Sequence, residues 1–371
     1  MKNIKNEVIY TSRPSLSDST FSAIKSVLQS RIFTNGPKLK EFEEKFAKFC
    51  KTNNATAVSN GTVAIELALR ALGIKSGDEI IVPSFTTMPT VEPILHLNAI
   101  PVFVDINDSY TLDSRKIERE VTKKTKAILV VHLYGQSANL SEIKKICKKH
   151  KLFLIEDCAQ AHDSYFEGKH LGTIGNIGCF SFYPTKNLSV LGEGGMIVTN
   201  KKSLADKIRL LRSHGEKGKY NHIVLGGNYR LSEIHCAIGI EQLRFLQKFT
   251  ERRRKIAELY NSLFENTEII TPKEEKYAKH CYHLYVIRVD SKKRDKIIKE
   301  LEKYNIFLGI HYPTPIHKQP IIRKLFKSKF KVKNKLPLTE KFSKEIISLP
   351  IYPTLSDSQV RTIAKKIKDC L

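Results

Sequence analysis

The feature that most constrains the fold is the segment from residue 153 to residue 200, which sets short apolar runs between polar turns. The runs cover residues 153–155, 179–183 and 196–199. They are too short for helices and are typical of buried strands. Asp157 follows the first run, and Lys186 follows the second. Because open α/β sheets collect ligand chemistry at the carboxyl ends of their strands, we expect the acid and the lysine to lie close together.

A lysine and an aspartate at such an edge suit one chemistry in particular. An aldehyde cofactor condenses with a lysine amine, and a carboxylate keeps its pyridine nitrogen protonated so that the ring draws electrons. Lys186 and Asp157 can supply these groups, and a buried Lys186 with a lowered pKa can also move protons. Alternatively, Lys186 is one more surface lysine and Asp157 caps a strand. The apolar, glycine-rich surroundings of Lys186 favour the functional interpretation.

The rest of the chain alternates short apolar runs with stretches of helical spacing. Strand-like runs without strict period-2 patterning predict an α/β fold with a mainly parallel sheet, covered by helices on both faces. Apolar spacing over residues 231–246 predicts a long helix. From about residue 250 the predicted helices and strands become shorter and follow one another in a mixed order. We therefore predict a large domain over residues 1–249 and a smaller α+β domain over residues 250–371.

The charge of the chain is strongly positive, and this alone could indicate a nucleic-acid partner. The 371 residues carry a formal net charge of +25. The lysines, however, are spread as pairs over many predicted helices, without a block of five or six like charges. This pattern is typical of solvated helix faces, so we predict no nucleic-acid partner. A positive surface also suits a substrate that bears a diphosphate.

Cysteine usage and hydropathy bear on the location of the protein. The seven cysteines are odd in number and scattered, without a C-x-x-C pair, which indicates reduced thiols and neither a disulfide framework nor a metal site. No run approaches the roughly 20 apolar residues of a membrane helix, and the first residues contain no apolar signal segment. We expect a cytoplasmic protein without a membrane partner.

A turn at residues 59–62 is a candidate phosphate site. Its sequence, Ser-Asn-Gly-Thr, precedes a predicted helix, and the N-terminus of a helix favours bound anions. An ordinary serine or asparagine helix cap explains the same pattern. The turn is not a nucleotide-binding P-loop, because the G-x-x-x-x-G-K pattern is absent.

Motifs along nearly the whole chain resemble one family, the DegT/DnrJ/EryC1/StrS sugar aminotransferases, which use pyridoxal phosphate on the fold-type-I aspartate aminotransferase scaffold. The motifs occur in the family's order. They are FTNGP (residues 33–37), SNGT (59–62), VHLYG (131–135), the segment 153–200, GNYRLSE (227–233), HYP (311–313) and SLPIYP (348–353).

The resemblance implies a seven-stranded, mostly parallel sheet and pyridoxal phosphate as the cofactor, held by Lys186 and Asp157. It implies further cofactor contacts. The cofactor phosphate would be bound by Gly61, Thr62 and Ser181, and the phenolic oxygen of the cofactor by Gln160.

The resemblance also implies a homodimer with shared active sites. Asn228 would reach the cofactor phosphate of the neighbouring subunit, although by itself it reads as a helix cap. Arg230, His311 and Tyr312 would contact the substrate.

One position departs from the family pattern. Many members carry an aromatic residue that stacks on the cofactor ring where this chain has Thr87. Either Phe85 or Met88 supplies that contact, or smaller groups flank the ring.

The resemblance implies transfer of an amino group from an amino acid, with L-glutamate as first choice. The acceptor would be a keto group of a dTDP-, UDP- or GDP-linked deoxysugar, in amino-sugar and surface-polysaccharide biosynthesis. Residues 132–136 and 183–187 are more similar to the enzymes that aminate C-3 than to those that aminate C-4.

Two other functions remain open on the sequence. A pyridoxal-phosphate sugar dehydratase uses the same scaffold but carries histidine at the lysine position, so Lys186 argues against it. A non-catalytic paralogue acting in regulation or on nucleic acid is the other, and the intact set of Asp157, Gln160, Ser181 and Lys186 argues against it.

Overall fold

A computed structural model describes residues 8–329 and 335–371 of the chain. Seven strands form the main sheet, in the order β1-β9-β8-β5-β4-β2-β3. They are β1 (Asn54–Val58), β2 (Glu79–Pro83), β3 (Ile100–Val104), β4 (Thr125–Val131), β5 (Phe153–Asp157), β8 (Ile177–Ser181) and β9 (Gly195–Thr199). The five from β8 to β3 pair in parallel, and β9 is antiparallel to both of its neighbours. The predicted mostly parallel, seven-stranded sheet is confirmed.

Five short strands lie outside the main sheet. They are β6 (Tyr165–Phe166), β7 (Lys169–His170), β10 (Ala278–Lys279), β11 (Tyr285–Arg288) and β12 (Ile346–Leu349). The first three form a small sheet, and β11 pairs with β12 in an antiparallel ribbon.

Twelve α-helices accompany the strands of the described residues. They are α1 (Asp18–Ser30), α2 (Pro37–Cys50), α3 (Gly61–Ala71), α4 (Met88–His96), α5 (Ser114–Ile117), α6 (Leu140–His150), α7 (Lys202–Arg212), α8 (Glu233–Phe264), α9 (Ser291–Glu302), α10 (Pro320–Lys329), α11 (Pro337–Glu345) and α12 (Asp357–Lys368). In the part of the chain that is described, none is long and apolar enough to cross a membrane.

Both faces of the main sheet are covered by helices, because its strands are apolar on both sides. In β2, Ile81 packs into a core cluster with α2 and α6, whereas Ile80 and Val82 pack into the opposite cluster with α3, α4 and α7. This two-sided burial accounts for the absence of strict period-2 patterning in the strands.

The helix α8 is the longest element and joins the two parts of the chain. The side chain of Ser232 caps its start by accepting the N–H of His235. The helix continues to Phe264, well beyond the end predicted at residue 246, because Ile256, Tyr260 and Phe264 are buried in a C-terminal core cluster. It thus crosses residue 250 without a break, and the domain division at residues 249 and 250 stays a prediction.

The C-terminal part packs against the carboxyl edge of the main sheet through polar contacts. Asp105, which follows β3, accepts hydrogen bonds at the start of α11 from the Thr339 backbone at 2.9 Å and hydroxyl at 2.8 Å. The backbone N–H of Ile316 donates to the carbonyl of Ser84, after β2, at 3.0 Å. These contacts bring residues 311–316 to the edge of the sheet where the parallel strands end.

Candidate active site

A cavity of about 520 Å³ lies at the carboxyl edge of the main sheet. The structure brings six of the predicted site residues to its wall. They are Gly61, Thr62, Asp157, Ser181, Lys186 and Tyr312. The expectation that an acid and a lysine from two strand ends share one space is met by this geometry.

Lys186 lies in a turn beyond β8. The strand ends at Ser181, two residues sooner than the apolar run predicted, and the backbone N–H of Lys186 closes the turn by donating to the carbonyl of Tyr183 at 2.9 Å. Burial lowers the pKa of Lys186 to about 8, although the charge of Asp157 acts in the opposite direction. About a tenth of the amine is therefore neutral at pH 7, far more than for an unperturbed lysine, and the neutral form is the one that acts as a nucleophile or accepts a proton.

Asp157 ends β5 and is buried, with 4% of its surface exposed. Its Oδ1 accepts the backbone N–H of Ala159 at 3.0 Å, and its Oδ2 accepts the hydroxyl of Thr90 at 2.9 Å. Burial raises the pKa of Asp157, while these two donors and Lys186 act to lower it. The site thus combines a dry environment with donors that favour the ionised carboxylate.

The neighbouring Glu156 has a structural role. Its buried carboxylate accepts backbone N–H groups from a tight loop, namely those of Gly172, Ile174 and Gly175. His132, left unassigned by the sequence, contacts it through Nε2 at 3.1 Å. Since Nδ1 of His132 accepts the N–H of Ala138, the imidazole proton lies on Nε2 and is donated to Glu156. Burial acts to raise the pKa of Glu156, but these donors keep it lowered.

The start of α3 forms the opposite wall of the cavity. Asn60 caps the helix by accepting the N–H of Val63 at 2.9 Å. The N–H groups of Gly61 and Thr62 belong to the first turn, where no intrahelical acceptor exists, so they can bind an anion. A Cβ atom on Gly61 would lie 2.8 Å from Cβ of Ser181, so only glycine allows the helix end to approach this serine so closely.

Gln160 does not line the cavity but supports a residue that does. Its Oε1 accepts the backbone N–H of Tyr134 at 2.7 Å, which fixes the orientation of the amide. Its Nε2 therefore donates to the hydroxyl of Tyr312 at 3.1 Å. Burial raises the pKa of Tyr312 to about 12, so this phenol from the C-terminal part enters the site neutral.

The three residues considered for stacking on the cofactor ring, Thr87, Phe85 and Met88, differ in their surroundings. Thr87 lines the cavity, whereas Phe85 is buried elsewhere and stacks on Tyr110 at 6.1 Å between ring centroids. Met88 packs into the core cluster on the α3 side. Neither alternative to Thr87 belongs to the wall, whose only two aromatic members among the described residues are tyrosines, at positions 183 and 312.

Three other predicted residues lie outside the cavity wall. Asn228 is exposed, and its backbone pairs with Ser213. Arg230 is half-buried close by in sequence. Nδ1 of His311 is in hydrogen-bond contact with the hydroxyl of Ser348 at 2.8 Å. Burial, and secondarily the charge of Lys186, lower the pKa of His311 to about 4. Their roles toward the cofactor or substrate stay predictions.

The sequence reasoning missed two polar members of the wall, Thr90 and Glu193. Thr90 lies in the first turn of α4, just beyond the end of β2 at the carboxyl edge, and that position was the only available signal. Glu193 is exposed in the turn before β9, between Gly192 and Gly194, and its local sequence carries no signal of a site.

A mostly parallel sheet, with a lysine, an aspartate and a helix N-terminus around one cavity at its carboxyl edge, defines the fold-type-I class of transferases. The chain belongs to the DegT/DnrJ/EryC1/StrS aminotransferase family, whose sequence profile matches residues 14–368. It is an aminotransferase of that family.

The chain is similar to several known proteins over most of its length. A pleiotropic regulatory protein of Geobacillus stearothermophilus is 41% identical, over 92% of each chain. A dTDP-3-amino-3,6-dideoxy-alpha-D-galactopyranose transaminase of Aneurinibacillus thermoaerophilus is 40% identical, over 93% of each chain. The structure of DesV of Streptomyces venezuelae in complex with a ketimine intermediate superposes with a TM-score of 0.90, at 35% identity over 95% of this chain and 94% of that chain.

Proposed function

We propose that the protein uses pyridoxal phosphate to transfer an amino group from an amino acid, with L-glutamate as first choice, to a keto group of a nucleotide-linked deoxysugar. The observation that carries this proposal is the shared cavity. A lysine with a lowered pKa, a buried aspartate and an anion-binding helix end face one space of about 520 Å³.

The residues present fit pyridoxal phosphate. Lys186 would hold it covalently, Asp157 would pair with the ring nitrogen, and the start of α3 with Ser181 would hold the phosphate. The wall at Gly61 is consistent with this, because even a methyl group there would collide with Ser181. When bound, the cofactor supplies an aldehyde and an electron-withdrawing ring.

The chain's own groups would bind, orient and move a proton. The amine of Lys186 would carry the proton on its Nζ atom, since a pKa of about 8 allows it both to accept and to donate a proton. Asp157, fixed at both oxygens by Ala159 and Thr90, would hold the proton on the ring nitrogen. Gln160 would act through Tyr312, which it orients, and keeps a second amide hydrogen for the cofactor.

The substrate class rests on relatives and on charge. The relative from Aneurinibacillus thermoaerophilus is named for a dTDP-linked 3-amino sugar, which supports amination at C-3 as the first choice. A net charge of +25 favours a substrate bearing a diphosphate. Arg230, His311 and Tyr312 are the proposed substrate contacts, with Tyr312 at the cavity wall.

A homodimer with shared sites is also proposed. The loop that precedes Asn228 exposes apolar side chains, including those of Tyr220 (80% exposed) and Leu225 (87% exposed). Exposed apolar groups of this size favour an intersubunit contact. Such a contact would carry Asn228 toward the phosphate site of the second subunit.

A cytoplasmic location is supported by the seven cysteines, all of which are free thiols.

A regulatory function is the second candidate, because the relative from Geobacillus stearothermophilus is named as a regulatory protein. The cavity nevertheless keeps Lys186, Asp157 and the helix end together. A protein that acted only in regulation would have no use for this combination.

The test is a panel of 3-keto and 4-keto deoxysugars linked to dTDP, UDP or GDP, each incubated with L-glutamate and the cofactor-loaded protein. Mass detection should show an amino sugar from at least one 3-keto substrate, and none with Lys186→Ala. Product from 4-keto substrates alone would refute C-3 amination. Absence of product across the panel, by a protein that binds the cofactor, would refute the sugar substrate class.

A further inference from the structure

The hydroxyls of two buried threonines form a hydrogen-bonded series that ends at the carboxylate of Asp157. Oγ1 of Thr90 lies 2.9 Å from Oδ2 of Asp157, and Oγ1 of Thr86 lies 2.9 Å from Oγ1 of Thr90. The exposed fractions are 2% for Thr86 and 1% for Thr90, so water does not compete for either hydroxyl.

The direction of these hydrogen bonds follows from the number of protons. An ionised carboxylate only accepts, so the single hydroxyl proton of Thr90 must be donated to Asp157. Thr90 then has no proton left for Thr86, and Thr86 must donate to Thr90. The two hydroxyls form a directed chain that ends on Oδ2, and each bond polarises the next.

The carboxylate is thereby held at both ends. Ala159 donates its backbone N–H to Oδ1, while Thr90 donates to Oδ2. Thr90 is itself fixed, because its backbone N–H donates to the carbonyl of Thr87 at 3.1 Å in the first turn of α4. Both Thr90 and Asp157 line the cavity, so the carboxylate lies where a bound molecule can contact it.

We propose that Thr90, supported by Thr86, is a positioning residue that keeps Asp157 ionised and aimed at the ring nitrogen of the cofactor. This inference rests on the proposed function. It assigns to α4 a part in the cofactor site that does not depend on ring stacking at Thr87. Burial disfavours the charged form of a carboxylate, and a hydrogen bond from a fixed donor restores it.

The test compares two ligands that differ at one atom. Full-length protein freed of cofactor is titrated with pyridoxal phosphate and with its 1-deaza analogue, in which a C–H group replaces the ring nitrogen. Thr90→Val removes the donor at nearly constant volume, and Thr90→Ser retains it. Because a charge-assisted hydrogen bond contributes more to the binding free energy than a neutral one, we expect Thr90→Val to bind pyridoxal phosphate roughly 10-fold more weakly.

The analogue isolates the interaction with Asp157. Its affinity should be the same for the parent, Thr90→Val and Thr90→Ser, and Thr90→Ser should bind pyridoxal phosphate like the parent. Thr86→Val should also weaken the binding of pyridoxal phosphate, but by a smaller factor than Thr90→Val. Equal losses for both ligands, or no loss for either, would overturn the inference. Failure of the parent to bind either ligand would instead refute the proposed function.

Discussion

At the scale of single residues, Lys186 and Asp157 influence each other's ionisation. Burial lowers the pKa of Lys186 to about 8, and the charge of Asp157 prevents it from falling further. The amine is therefore mostly protonated below pH 8 and mostly neutral above it. Since only the neutral amine condenses with an aldehyde, cofactor attachment depends on this balance.

We predict that the rate at which pyridoxal phosphate attaches to the cofactor-free protein rises with pH through a midpoint at about 8 and levels off at higher pH. Asp157→Asn removes the charge that favours the protonated amine, so its midpoint should move to lower pH. Stopped-flow absorbance measures the rate. Glu193→Gln removes an exposed carboxylate from the same cavity and should leave the midpoint nearly unchanged. A midpoint that stays in place or rises in Asp157→Asn would contradict the account.

The two central residues could be predicted from the sequence because each follows an apolar run that reads as a strand. The role of Thr90 could not be predicted, because its hydrogen bond to Asp157 joins residues that are 67 positions apart and lie on different elements. Likewise, the contacts of the Gln160 amide with Tyr134 and Tyr312 could not be predicted, and its contact with the cofactor stays a prediction. Such contacts depend on how elements pack, and local patterns carry no information about packing.

At the scale of elements, the start of α3 has to approach β8 closely. Gly61→Ala would place a methyl group 2.8 Å from Cβ of Ser181 and push the helix end away from the strand. We predict that this variant binds pyridoxal phosphate at least 10-fold more weakly, by fluorescence titration, because phosphate contacts are charge-assisted.

The control is Gly73→Ala, which lies beyond the other end of α3 with φ at +80° and open space around it. It should destabilise the protein through backbone strain yet leave cofactor affinity intact. If both variants lose affinity equally, the loss reflects general destabilisation and not the helix end.

The strands of the main sheet were predictable because their apolar runs are short and lie between turn residues. The length of α8 was not, because its second half is buried against C-terminal residues that are distant in sequence. For the same reason, the approach of residues 311–316 to the sheet edge was implied only by the family resemblance of the HYP motif and not by local patterns.

At the scale of the whole molecule, the proposed homodimer predicts complementation between two inactive variants. Lys186→Ala lacks the amine of its own site, whereas Asn228→Ala lacks a group that would serve the neighbouring site. In a mixed dimer, one site combines an intact Lys186 with the Asn228 of the other subunit. Mixing the variants under exchange conditions should restore up to about a quarter of parental activity per total site, by statistical pairing.

Coupled glutamate-turnover assays measure the recovery. A mixture of Lys186→Ala with Asp157→Asn is the control, because both residues line the same cavity of one chain and a mixed dimer gains no intact site. Sedimentation of the parent as a monomer, or equal recovery in both mixtures, would contradict shared sites.

The most direct test of the central claim is to locate the lysine that carries the cofactor. The loaded protein is reduced with borohydride, digested, and its peptides are mapped by mass spectrometry. The account predicts one pyridoxyl group, on the peptide that contains Lys186, and its loss in Lys186→Ala. Lys145→Ala, which removes an exposed lysine, should label like the parent. Label on a different lysine, or no label after reconstitution with pyridoxal phosphate, would contradict the account.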